Sequence, residues 1–184
     1  MFQRVMGIDP GVSGALVGIY LDDGNIKDVT MSDMPVIKTK KGTGKKAKVV
    51  TEIDPVQVMA MLNEFAPFHV FIEKAQPMSR YGKVQGVVST AGYMKGYGIL
   101  LGILYAGGYD FTEVSPQQWK KWVFTEKMEK IEGESDAKRK GRAKTLSRER
   151  AQEEFSTQMF PLVKDHNKAE AFLIGLYGCG VLFL

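Results

Sequence analysis

Three acidic residues in this 184-residue chain stand where carboxylates can do chemistry. Asp9 follows the apolar-rich run Phe2–Ile8 and precedes Pro10-Gly11; Glu73 closes the uninterrupted apolar run Val70-Phe71-Ile72; Glu170 opens the apolar stretch that runs from Ala169 to Leu184. Clustered carboxylates repel one another until a cation neutralises them, and hard oxygen donors suit Mg²⁺ or Mn²⁺. Two such ions about 4 Å apart can activate a water and stabilise the leaving oxygen of a phosphodiester. Further donors precede Glu170. His166 lies four residues before it and Asn167 three, on or near one helical face, and Asp165 stands at the helix start, equally placed to cap or to ligate. Each residue taken alone has a plainer reading. An Asp before Pro-Gly is a common turn former, Glu73 could pair with Lys74 or another lysine, and His166 could simply flank a helix.

The elements that must position these residues can be read from periodicity. Phe2–Ile8, Ala15–Leu21 and Ile26–Met34 read as three strands, the last two joined by the turn Asp22-Asp23-Gly24-Asn25 in an antiparallel meander. Residues 38–48 hold six lysines and little apolar content, which predicts a flexible basic loop. Asp54-Pro55 pairs an N-cap with proline at the first helical position, predicting a helix to about Phe65 with Val58, Met61, Leu62 and Phe65 on one face. His69–Glu73 reads as a short buried strand. A glycine-bearing helix follows over about 84–106, then a strand over Phe111–Val114 and a helix from Ser115-Pro116 through Trp122. Residues 126–142, charged at both signs, read as a surface insertion; Lys144–Gln158 and His166 to about Val181 complete the helices. The expected fold class is α/β: a single domain with a mixed five-stranded sheet, three antiparallel strands then two parallel, flanked by helices.

Composition limits the function classes. The apolar fraction of 44% and charged fraction of 25% are those of a globular protein, and the net charge of +4 permits a polyanionic partner. Cys179 is the sole cysteine, so no internal disulfide can form, and the N-terminus has no long apolar core; both lead us to expect a cytoplasmic setting. The apolar C-terminal stretch is interrupted by three glycines and falls short of the roughly 20 residues of a spanning helix, so no membrane association is expected.

Several segments together resemble one family. Gly7-Ile8-Asp9-Pro10-Gly11-Val12-Ser13-Gly14-Ala15 resembles the opening strand and turn of RuvC-type Holliday junction resolvases, and Phe71-Ile72-Glu73-Lys74-Ala75-Gln76 their second catalytic strand, particularly in the bacteriophage-like branch. Val114-Ser115-Pro116-Gln117-Gln118-Trp119-Lys120-Lys121 is similar to that branch's Pro-x-x-Trp-Lys segment. Lys144, Ser147, Ala151 and Phe155 fall where the family has a Lys-x-x-Ser helix ending before Phe-Pro (here Phe160-Pro161), and Lys164-Asp165-His166-Asn167-Lys168-Ala169-Glu170-Ala171 looks like its closing acidic helix. Order and spacing match from about residue 4 to 178.

The resemblance implies a ribonuclease H-like fold and a homodimer in a bacterial or phage-infected cell. It also implies a crossover junction endodeoxyribonuclease that nicks opposing strands of a four-way junction with two Mg²⁺ ions, Mn²⁺ substituting. It carries Asp9, Glu73 and Glu170 over as metal ligands. The last motif departs from the family, which usually ends on Asp with an Asp or His three or four residues earlier. Here the final residue is Glu and Asp165 is displaced by one, so the fourth ligand stays open between His166 and Asp165.

A junction nuclease needs cations around its metal site for phosphate. Lys120 and Lys121 beside Trp119, and Lys144 at the start of a helix, are the candidates, with a solvated charged face as the plainer reading. Arg80 and Tyr81 follow Glu73 closely and fall where the resembling family enters the junction. Trp119 and Trp122, three apart, read as core packing ahead of base stacking. Three other functions compete. An actin-like or sugar-kinase ATPase shares the Gly-x-Asp-x-Gly turn but repeats it over a far longer chain. A noncatalytic junction or nucleic-acid binder could carry the same fold, and so could a flap nuclease.

Overall fold

A computed structural model describes residues 2–44, 47–76, 87–124, 131, 133–156 and 159–183. Its central sheet has five strands in the order β3-β2-β1-β6-β7. The meander comprises β1 (Phe2–Asp9), β2 (Ala15–Asp22) and β3 (Asn25–Asp33), all antiparallel. The two-residue turn Asp23-Gly24 joins β2 to β3 with both φ angles positive, at 48° and 77°. That is the twist a tight hairpin needs, and glycine supplies half of it without strain. β6 (His69–Glu73) pairs with β1, and β7 (Phe111–Val114) with β6, both in parallel. The mixed sheet expected from the sequence is thus present.

Helices cover both faces. Met6, Ile8, Val70 and Ile72 meet α1 (Pro55–Phe65) and α2 (Val87–Ala106) through Val58, Leu62, Tyr97, Leu100 and Leu104. Val5, Val17, Ile19 and Phe71 meet α3 (Pro116–Val123), α4 (Asp136–Glu154) and α5 (His166–Phe183) through Trp119, Ala151, Phe172 and Leu173. Local signals set several ends. Asp54 accepts from the backbone N–H groups of Val56 and Gln57 at 3.0 and 3.1 Å, ahead of Pro55. Ser115 and Gln118 form a reciprocal capping box ahead of Pro116. Among the described residues no helix is long and apolar enough to cross a membrane.

Two expectations need correction. Residues 38–41 and 48, expected within a flexible loop, lie in strands. β4 (Val36–Lys41) and β5 (Lys48–Ile53) form a separate antiparallel hairpin, which leaves only 42–44 and 47 of the described residues in that span outside strands. β-Branched Thr, Val and Ile around the lysines, with Ile53 buried at the root, outweigh the charge. The charged segment 126–142 is also not all insertion. Its described C-terminal part, from Asp136, is the start of α4, capped by Ser135, whose hydroxyl accepts from the Lys138 N–H at 3.4 Å. A helix solvated on most sides shows no apolar period, so the sequence displays only its later turns.

Candidate active site

Ile8 of β1 stands opposite Ile72 of β6 in parallel register, so Asp9 and Glu73 end their strands side by side at one edge. Side chains alternate along a strand. Val5 and Phe71 share the faces of Asp9 and Glu73 and lie in the core beneath α5, so both carboxylates belong to the α5 side of the sheet. Glycine brings the helix close. A Cβ on Gly7 would lie 2.0 Å from the Ala171 carbonyl oxygen and 2.5 Å from the Gly175 nitrogen, so α5 crosses β1 backbone against backbone. Glu170 precedes that crossing by one residue and arrives over the strand ends.

The three carboxylates act on one another. Burial pushes the Asp9 carboxyl well above the usual carboxylate range, and the negative charges of Glu170 and Glu73 push it further; Lys120 and Lys144 pull it back in part. Glu73 and Glu170 each have a donor of their own. The buried Trp119 indole N–H donates to Glu73 Oε2 at 2.7 Å, and the buried Ser147 hydroxyl donates to Glu170 Oε1 at 3.2 Å. Lys120 Nζ stands 4.0 Å from Glu170 Oε1 and 4.8 Å from the centre of the Trp119 ring. Among the described residues no three His, Cys, Asp or Glu side chains are drawn close enough to hold a metal ion as they stand.

The remaining candidates divide. Asp165 is buried and turned to the backbone: its Oδ2 accepts from the Leu162 N–H at 2.9 Å, closing the 3-10 turn Val163–Asp165, and its Oδ1 lies 3.9 Å from Lys168 Nζ. His166 Nδ1 lies 3.0 Å from the Val163 carbonyl oxygen. A carbonyl oxygen only accepts, so Nδ1 is the donor in that contact, and Nε2 is the ring nitrogen left to meet a ligand. The Asn167 amide donates to the Ser13 carbonyl, tying α5 to the turn after β1. Lys144 is exposed on α4 and Lys121 is exposed on α3, beside Lys120. Arg80 and Tyr81 lie outside the described residues.

No family model matches the chain, and neither does any curated protein. Solved structures do. That of Thermus thermophilus RuvC in complex with a Holliday junction substrate is 13% identical in sequence, with a TM-score of 0.55 over 98% of each chain. The chain has the RuvC, ribonuclease H-like fold. A further Thermus thermophilus RuvC structure gives a TM-score of 0.49 at 16% identity, over 95% of this chain and 92% of that one.

On this RuvC fold, sequence reasoning missed two positioning residues. Trp119 was expected in the core, and it is fully buried there, yet its N–H holds Glu73. Ser147 is fully buried in a helix and holds Glu170. Both left a signal: a buried indole N–H needs an acceptor, and a serine within a helix needs a reason. Trp122, by contrast, is 45% exposed, its ring edge-on to Tyr177 at 5.9 Å.

Proposed function

We propose that the chain is a metal-dependent endonuclease selective for branched DNA, resolving four-way junctions by paired symmetric nicks. The supporting observation is the convergence of Asp9, Glu73 and Glu170 at one sheet edge of a RuvC fold, with the Asp9 carboxyl raised first by burial and then by both neighbours. The hard oxygens of the three carboxylates fit Mg²⁺ or Mn²⁺, and a desolvated cluster of like charges is what a cation relieves. Asp9, Glu73 and Glu170 would hold the metal, with His166 Nε2 as the fourth donor ahead of Asp165, whose oxygens face Leu162 and Lys168. When bound, two such ions supply a nucleophilic water and charge neutralisation at the leaving oxygen.

The chain's own groups do the positioning. Trp119 and Ser147 fix the two glutamates, leaving Asp9 the least compensated of the three. Lys120 and Lys144 are the cations close enough to act on Asp9, and they would receive the phosphate on either side of the cut. Lys121, Arg80 and Tyr81 would extend the DNA contact. Paired nicks in a two-fold symmetric junction call for two sites related by a two-fold axis, hence a homodimer.

The test is cleavage of a labelled synthetic four-way junction beside flap and linear duplex substrates, with Mg²⁺ or Mn²⁺. Paired nicks at symmetry-related positions are the expected result. Binding without cutting under either metal would replace this reading with a noncatalytic junction binder, and cutting of flaps alone would replace the substrate. Trp119→Phe refines the assignment. It keeps most of the buried ring and removes the only N–H that Trp119 offers Glu73, so activity should fall about 10- to 100-fold and the Mg²⁺ requirement should rise. An unchanged Mg²⁺ titration would deny Trp119 its positioning role.

A further inference from the structure

The β4–β5 hairpin lies outside the five-stranded sheet, and the catalytic reading makes no use of it. Residues 36–53 carry six lysines and one acid, Glu52, which pairs with Lys95 of α2. Burial grades along the hairpin. Its root is held by Ile53, 1% exposed, against Gly96 of α2, and by the Asp54 N–H on the Pro35 carbonyl at 2.9 Å. Its outer part is exposed, with Val49 at 61%. Lys38 and Lys40 stand opposite Thr51 and Val49 on one face, and Lys48 lies on the other. All three are exposed, and none pairs with a carboxylate among the described residues.

The root also adjoins the candidate active site. The Met34 N–H donates to the Gly14 carbonyl at 2.9 Å, and Asp33, the last residue of β3, is paired with Ala15, which in turn faces Asp9 across β1 and β2. Strands of six residues reach roughly 20 Å. A hairpin of only two strands has little stability alone, so its anchored root holds an otherwise weak element at a defined place.

We infer that the hairpin is a phosphate-gripping arm, in which Lys38, Lys40 and Lys48 contact the backbone of a duplex DNA arm entering the site. This rests on the nuclease reading of that site. The cations face a polyanion without competing carboxylates, and backbone contacts of this kind position a duplex without reading its sequence. The rival role for such lysines is to blunt exposed strand edges against aggregation.

The experiment measures binding to a labelled four-way junction and to a linear duplex across a salt series, in an Asp9→Asn background so that cutting does not intervene. Lys38→Gln, Lys40→Gln and Lys48→Gln are combined in one variant, and the same positions are changed to Arg in another. Each phosphate contact contributes about 0.9 to the slope of log affinity against log salt. The Gln variant should therefore lose up to about 3 in slope and weaken about 10- to 100-fold on both DNAs near 0.15 M salt, while the Arg variant keeps the parent's slope. Exposed substitutions of this kind leave the melting temperature nearly unchanged. A Gln variant with the slope and affinity of its parent would overturn the arm, and added aggregation would assign the lysines to edge protection. Equal loss in the Arg variant would also overturn it, since charge would not be the cause. A parent that binds neither DNA would remove both the arm and the nuclease reading.

Discussion

Asp9→Asn should abolish junction cleavage while making the metal-free protein more stable. Folding raises the Asp9 carboxyl, chiefly by burial and then through Glu170 and Glu73. The folded state therefore holds that proton more tightly than the unfolded chain does. Stability then falls as pH climbs from the unfolded value, about 3.9, through the raised folded one, so keeping this carboxyl costs the fold stability above that window. Asparagine removes the charge at nearly the same volume. In chelator the variant should melt a few degrees above the parent.

Mg²⁺ should reverse that order. On the proposed reading the ion is held by the parent's three carboxylates, so it should raise the parent's melting temperature and the variant's far less. Loss of this proposed ligand should cost about 4 kcal/mol of transition-state stabilisation, or roughly three powers of ten in rate. Melting curves with and without Mg²⁺, read beside junction cleavage, check both halves. A variant less stable than the parent in chelator would show that Asp9 is a structural residue and not a restrained metal ligand.

Gly7→Ala should destabilise the fold and disable the site together. The new Cβ would meet the Ala171 oxygen at 2.0 Å, the Gly175 nitrogen at 2.5 Å and its Cα at 2.9 Å. All three are backbone atoms of α5, so no side chain can rotate away and the helix itself must move. Overpacking of this kind costs about 3 kcal/mol, the upper end of its usual range, and should lower the melting temperature by roughly 6–12 °C. Glu170 moves with the helix, and a misplacement near 1 Å costs on the order of 100-fold in rate. Gly141→Ala is the control. Gly141 lies exposed in α4 with nothing within 4 Å of its Cβ position, so alanine there should be neutral or stabilise by up to about 1 kcal/mol. Equal melting temperatures for Gly7→Ala and the parent would mean that α5 does not lie against β1 as described.

Much of this protein is legible in its residues one segment at a time. Alternation and apolar runs mark β1, β2, β3, β6 and β7, Asp54-Pro55 and Ser115-Pro116 mark two helix starts, and Asp9 and Glu73 announce themselves as acids at the ends of apolar strands. These are local signals, set by backbone sterics and by hydrogen bonds within a few residues. Where the local signal was masked, the reading failed. The lysines of β4 and β5 hid a hairpin, and the charge of residues 136–142 hid the first turns of α4. Only the tertiary structure decides the rest of the site. Pairing across 64 residues puts Asp9 beside Glu73 on one face, and contact between Gly7 and Gly175 delivers Glu170. Trp119 and Ser147 become partners of glutamates 46 and 23 residues away, and Asp165 turns to cap its own turn. The physical reason is range. Periodicity records which face of an element is apolar, whereas which faces meet, and in what register, is settled when the sheet and its two helical layers close over a shared core.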